Sequence, residues 1–166
     1  MCIRDRVRTH LQSKYDLTGD VVGPYADEGE VLQGDILHRL VRWTPTGYEW
    51  EADPKHLRSI ISTYKENLKP YTTPGTKEIN HSYWDTAVVK DKKVITTYRS
   101  RVQTAMYLSP DLPTIQFSAK ELARHNSKPT EGALNGMKHL AGYLMNYGRL
   151  IHHFPWYTDT GTYDMV

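Results

Sequence analysis

Three apolar stripes in close succession restrict this chain more than any other feature. Val94, Tyr98, Val102 and Ala105 recur at helical spacing, and so do Ile115, Ala119, Leu122 and Ala123. Leu134, Met137, Ala141 and Leu144 form a third set. That period places each set along one side of an α-helix. Pro113 suits the first turn of the second helix and Thr130 the N-cap of the third. The connections SPDL (109–112) and NSKP (126–129) are too short to let the helices separate. Residues 91–147 are therefore expected to form a compact helical unit.

The segment before it reads differently. Leu11, Tyr15, Leu17, Val21 and Val22 are apolar spots without a clean period, and suggest one strand within residues 10–22. GPYADEGE (23–30) is a turn-rich acidic loop. ILHRLVRW (36–43) reads as one extended strand, with Leu37, Arg39, Val41 and Trp43 on one side and Ile36, His38, Leu40 and Arg42 on the other. A TPTG turn (44–47) and the alternating YEWEA (48–52) complete a β-hairpin. Asp53 then caps a helix with Pro54 in its first turn and Leu57, Ile60, Ile61 and Tyr64 on its apolar face, ending near Asn67. Residues 68–90 hold Pro70, Pro74 and Gly75 without periodicity, and read as a linker. After Gly148, RLIHHFPW reads as a strand, and TYDMV as the start of another. The expected class is α+β: an N-terminal hairpin region, a small helical bundle, then a strand or hairpin.

The opening residues, MCIRDR (1–6), match the translation of a common sequencing-library adapter and are set aside as adapter-derived. Cys2 leaves with them, so no disulfide, cysteine zinc site or thiol nucleophile is expected. Hydrophobic residues make up 39% and mean hydropathy is −0.63, somewhat polar for a self-sufficient globule. No run approaches the roughly 20 apolar residues of a membrane helix, and no signal-peptide pattern opens the chain, so an intracellular protein is expected.

Net charge is only +2 but unevenly placed: residues 90–150 carry ten Lys/Arg against four acids, residues 7–89 nine against twelve. The basic half suggests a polyanion partner. Phe117, Lys120 and Arg124 stand at i, i+3 and i+7 opposite much of the second apolar stripe, Lys128 follows, and Lys138 points outward from the third helix. Such side chains can line a phosphate backbone without reading sequence, although the same pattern serves plain solubility.

Catalytic constellations are weak. The acids of DEGE (27–30) sit in a Gly-flanked polar loop, not on the rigid strands that a two-metal site requires. His152 and His153 are neighbours on a strand and point to opposite faces, while His125 and His139 are isolated. There is no P-loop and no G-x-G-x-x-G.

YRSRVQTAMYLSPDLPTIQFSAKELARHNSKPTEGALNGMKHLAGYL (98–144) closely resembles the segment that follows the polymerase palm in Ty1/copia-type retrotransposon Pol polyproteins. Tyr98, Arg99, Ser100, Val102, Tyr107 and Leu108 match the family's first block. Pro113, Ile115, Phe117, Leu122 and Arg124 match its second, and Pro129, Thr130, Tyr143 and Leu144 its third. Upstream, ILHRLVRWTPTGYEWEADPKH looks like the hairpin and helix after the catalytic strand pair, so the resemblance spans roughly residues 30–156.

The resemblance implies a noncatalytic fragment of an RNA-directed DNA polymerase. Residues 7–67 would be the end of the palm, 68–90 a linker, 91–147 the helical thumb, and 148–166 the start of a connection toward a ribonuclease H domain. The family's Tyr-x-Asp-Asp pair, which holds Mg²⁺, is absent from this chain, so no metal or catalytic residue is expected in it. Its partners would be an RNA–DNA or DNA primer–template duplex and the rest of the Pol polyprotein, in a cytoplasmic virus-like particle, with no membrane involved. Candidate duplex contacts are Arg39 and Arg42 on the hairpin and Tyr98, Arg99, Lys120, Arg124, Lys128 and Lys138 on the helices. Tyr98 and Arg99 serve a structural role equally well. Gln103, Leu112, Thr114 and Gly142 depart from the family pattern. Gly142 stands in mid-helix where an Arg is usual, at a cost of about 1 kcal/mol relative to Ala. Read as decay, these changes favour an alternative: a remnant or protein-interaction module without nucleic-acid activity.

Overall fold

A computed structural model describes residues 3–16, 19–25, 29–66, 68–75 and 86–156. The class is α+β, as expected, with most strands preceding the helical unit. A short helix, α1 (Ile3–Gln12), opens the chain. It takes residues 10–12 of the strand expected within residues 10–22, where, among the described residues, only β1 (Val21–Val22) is a strand. β1 pairs in parallel with β2 (Glu30–Val31).

The main sheet has the order β3 (Gln33–Ile36), β4 (Arg39–Thr44), β5 (Gly47–Ala52) and β6 (His152–Pro155), antiparallel throughout. The expected hairpin is β4–β5, closing at Thr44↔Gly47, where the Thr44 hydroxyl donates to the Gly47 carbonyl at 2.8 Å. The single strand expected over 36–43 is instead broken. Leu37 and His38 have φ of +52° and +60° and turn β3 into β4. Positive φ at both central residues matches the twist of a tight hairpin, and is normally supplied by Asn or Gly. Apolar alternation hid this turn, because Leu37 scores as a strand residue. Asp35 Oδ1 accepts the His38 N–H at 3.0 Å and holds the turn.

At the far edge, Gly47 admits β6. A Cβ on it would lie 2.1 Å from the Phe154 carbonyl oxygen. The strand expected after Gly148 thus forms, paired to a strand about a hundred residues earlier. TYDMV lies outside the described residues.

The helices follow their signals. α2 (Pro54–Thr63) is capped by Asp53, whose Oδ1 accepts the Lys55 N–H at 2.8 Å, and it ends at Tyr64, before the expected Asn67. α3 (Lys92–Leu108) is capped by Asp91, which accepts from Lys93 and Val94. A 3₁₀ turn (Pro113–Ile115) leads into α4 (Gln116–Ala123). Thr130 caps α5 (Glu131–Tyr147) through the Ala133 N–H. The stripes meet in one core. Tyr98, Val102, Ile115, Ala119, Met137 and Ala141 are fully buried, and Ile60 brings α2 into the same cluster. Each large aliphatic side chain so buried contributes about 2 kcal/mol.

Residues 68–75 form no regular element but lie along α5. The Tyr71 N–H donates to the Gly142 carbonyl at 3.4 Å, and the Tyr71 ring stacks on His139 at 3.8 Å. A Cβ at Gly142 would lie 2.1 Å from the Lys69 carbonyl oxygen and 2.7 Å from the Tyr71 ring. The glycine is therefore required by close backbone approach, which outweighs the helix-propensity cost assigned to it from sequence.

Candidate nucleic-acid interface

The eight proposed contact residues fall into separate environments. Arg39, on β4, aims its guanidinium at Asp111 in the loop after α3. Nε lies 2.9 Å from Asp111 Oδ1 and 3.0 Å from Oδ2, and the guanidinium carbon stands 5.3 and 5.4 Å from the Trp50 and Tyr107 ring centres. The hydrogen bond to Asp111 raises the Arg39 pKa above its ordinary value. Asp111 is itself buried, and also takes the Trp50 indole N–H at 3.0 Å. Arg39 is thus a strut between sheet and helices.

Arg42 is engaged on the other face of the sheet. It pairs with Glu51, donates to Gln33 Oε1 at 2.7 Å and stands 3.9 Å from Glu49. Glu51 also accepts from Arg149 Nε at 2.8 Å. Burial alone pushes the Glu51 carboxyl up, but the hydrogen bonds from Arg149 and Arg42 more than offset it, so its pKa lies below the ordinary range. Charge at Arg42 is thereby neutralised from within.

Tyr98 belongs to the core. It is fully buried, its hydroxyl donates to the Leu122 carbonyl at 2.7 Å, and burial raises its pKa. A side chain so enclosed reaches no duplex. Arg99 donates through Nε to the Asn126 carbonyl at 2.6 Å and through Nη2 to the Ser127 carbonyl at 3.0 Å. It binds α3 to the segment leaving α4, the structural role that its position also allowed.

The remaining four are cations at the surface. Lys120 and Arg124 are exposed on α4, and Lys128 is exposed just beyond it. Lys120 and Lys128 make no ion pair among the described residues. Arg124 pairs with Glu121 at 2.9 Å with its own side chain 66% exposed, a surface pair that water and salt readily loosen. Lys138 is half-buried in a different place. With Lys93, Tyr64, Thr97 and Glu131 it lines a concavity of about 400 Å³ between α2, α3 and α5. Lys93 was not singled out from sequence, since a lysine in the first turn of a helix reads as solubilising charge.

Acids do not assemble into a two-metal centre among the described residues. Asp27 and Glu28 lie outside them, and Glu30 is buried, its Oε2 accepting the Tyr25 N–H at 2.9 Å, rather than lying in a solvated loop. His152 and His153 diverge as expected: the first contacts the Asp111 carbonyl oxygen and the second the Thr46 hydroxyl. The one described group of three His/Asp/Glu side chains close enough to share a metal ion is Asp35, His38 and Asp53.

No helix among the described residues is long and apolar enough to cross a membrane. No protein family, curated protein or solved structure matches the chain.

Proposed function

We propose that the chain is a noncatalytic part of a Ty1/copia-type reverse transcriptase that grips a primer–template duplex through its phosphates. The reading rests on the motif run over residues 98–144. It is supported by the run of exposed cations Lys120, Arg124 and Lys128 along α4 and its exit. Arg39 and Arg42 spend their charge on carboxylates and Tyr98 is enclosed. Arg99 is held by two backbone carbonyls but stays exposed with its charge unpaired by any described acid, so the grip narrows to Lys120, Arg124 and Lys128, with Arg99 and Lys138 as separate contacts. Contacts of this kind give affinity without sequence preference.

A salt titration of binding to an RNA–DNA hybrid tests the reading. Three phosphate contacts predict a fall of roughly tenfold to a hundredfold between about 50 and 200 mM salt. Undetectable binding at low salt, or affinity that ignores salt, would overturn it.

A second reading, a protein-interaction module, draws on the sheet. Leu32, Ile36, Leu37, Phe154 and Trp156 are large apolar side chains exposed on or beside its two edge strands. Capture of a defined polypeptide at high salt, without hybrid binding, would favour it.

A further inference from the structure

The β3–β4 turn and the start of α2 bring together a second kind of chemistry. Asp35 closes β3, His38 lies in the turn, and Asp53 caps α2; one ligand atom from each lies within 4.8 Å of the others. The Asp53 N–H donates to the His38 carbonyl at 3.1 Å, which ties the segments together. A cation already sits among these groups: Lys55 Nζ is 2.8 Å from Asp53 Oδ2 and 2.8 Å from His38 Nδ1.

We propose that Asp35, His38 and Asp53 form a binding site for a divalent first-row transition metal of the Zn²⁺ or Co²⁺ type, which enters by displacing the Lys55 ammonium. An ammonium group has no lone pair, so in its contact with Lys55 the imidazole Nδ1 must be the acceptor. His38 therefore presents a lone pair toward the shared centre, the form in which an imidazole ligates metal. Both carboxylates are oriented for the same task. Asp35 Oδ1 takes the His38 N–H and Asp53 Oδ1 takes the Lys55 N–H, leaving the second oxygen of each for the ion.

The donor set selects the metal. One imidazole with two carboxylates suits zinc, cobalt or nickel, whereas magnesium and calcium favour oxygen donors. Bonds of about 2.0–2.2 Å require the ligand atoms to draw in to roughly 3.5 Å from one another. Asp35 and His38 are exposed, so rotation of their side chains suffices. Lys55 is 48% exposed and leaves for water at little cost. A bound ion would clamp the turn to the first turn of α2, with its remaining positions held by water. This site is independent of the duplex reading.

Isothermal titration with Zn²⁺, and visible absorption on Co²⁺ addition, test the proposal on the full chain. The expected result is one equivalent bound by the wild type, at least tenfold tighter binding by Lys55→Ala, and loss of that equivalent in His38→Ala. Asp35→Asn, which keeps an oxygen for the His38 N–H, should also weaken binding and checks the result if His38→Ala misfolds. Lys55→Ala binding no tighter than wild type would overturn the proposal. So would unchanged affinity in both His38→Ala and Asp35→Asn, which would assign the metal to other histidines.

Discussion

Arg39 and Asp111, 72 residues apart in sequence, meet at 2.9 Å and join the sheet to the helices. Asp111 is almost wholly enclosed, and its backbone carbonyl also receives His152 of the edge strand. Removing the arginine strands a buried carboxylate. Arg39→Met should therefore cost about 3 kcal/mol, as for other broken buried pairs, read as a lowered midpoint in urea unfolding. Asp111→Asn, which keeps an acceptor for the Trp50 indole, should cost less. A loss under 0.5 kcal/mol for Arg39→Met, about the level of an ordinary surface change, would reduce the pair to decoration.

Glu51 should make stability depend on acid. Arg149 and Arg42 overcome the effect of burial and hold its pKa below the ordinary 4.5. A depressed carboxylate contributes stability above its unfolded pKa, and loses it as pH falls through the folded value. The wild type should thus exceed Glu51→Gln in stability at neutral pH, and the gap should close below about pH 4.5. Denaturant midpoints of both proteins between pH 7 and 3 measure this. A gap constant over that range would contradict the assignment.

Gly142 should resist improvement. Helix propensity alone predicts that alanine stabilises this position by about 1 kcal/mol. The Lys69 carbonyl and the Tyr71 ring occupy the place a methyl group needs, so Gly142→Ala should instead destabilise by about 1–3 kcal/mol. A higher melting temperature for the variant would mean that the segment before residue 76 does not rest on α5 as described.

Surface charge and internal charge should separate in binding. Lys120→Gln, Arg124→Gln and Lys128→Gln together should leave the fold intact, weaken hybrid binding at low salt, and lower the salt slope by about 2–3. Arg42→Gln and Tyr98→Phe should alter stability and leave that slope alone. Tyr98→Phe, which loses the hydrogen bond to Leu122, should cost about 1 kcal/mol. Equal binding by the triple variant and wild type would exclude α4 as the grip.

The sequence by itself determined the elements whose cause is local. Asp53 and Thr130 are capping residues by type and position, and each caps the helix that follows it. The apolar stripes of α3, α4 and α5 became one core because a helix buries the side its period makes apolar. The TPTG turn closed its hairpin for the same reason, since two adjacent residues decide a turn. Tertiary structure alone decided what depends on distant neighbours. Leu37 and His38 take left-handed conformations in a turn that pairing of β3 with β4 imposes, against their own preference. Charge was legible as composition but not as availability. Arg39 and Arg42 look like Lys120 in the sequence, yet carboxylates from other parts of the sheet and from the loop after α3 claim them. Local chemistry fixes where a backbone hydrogen bond or an apolar face must go. Only the folded arrangement fixes which charges remain in water to meet a partner.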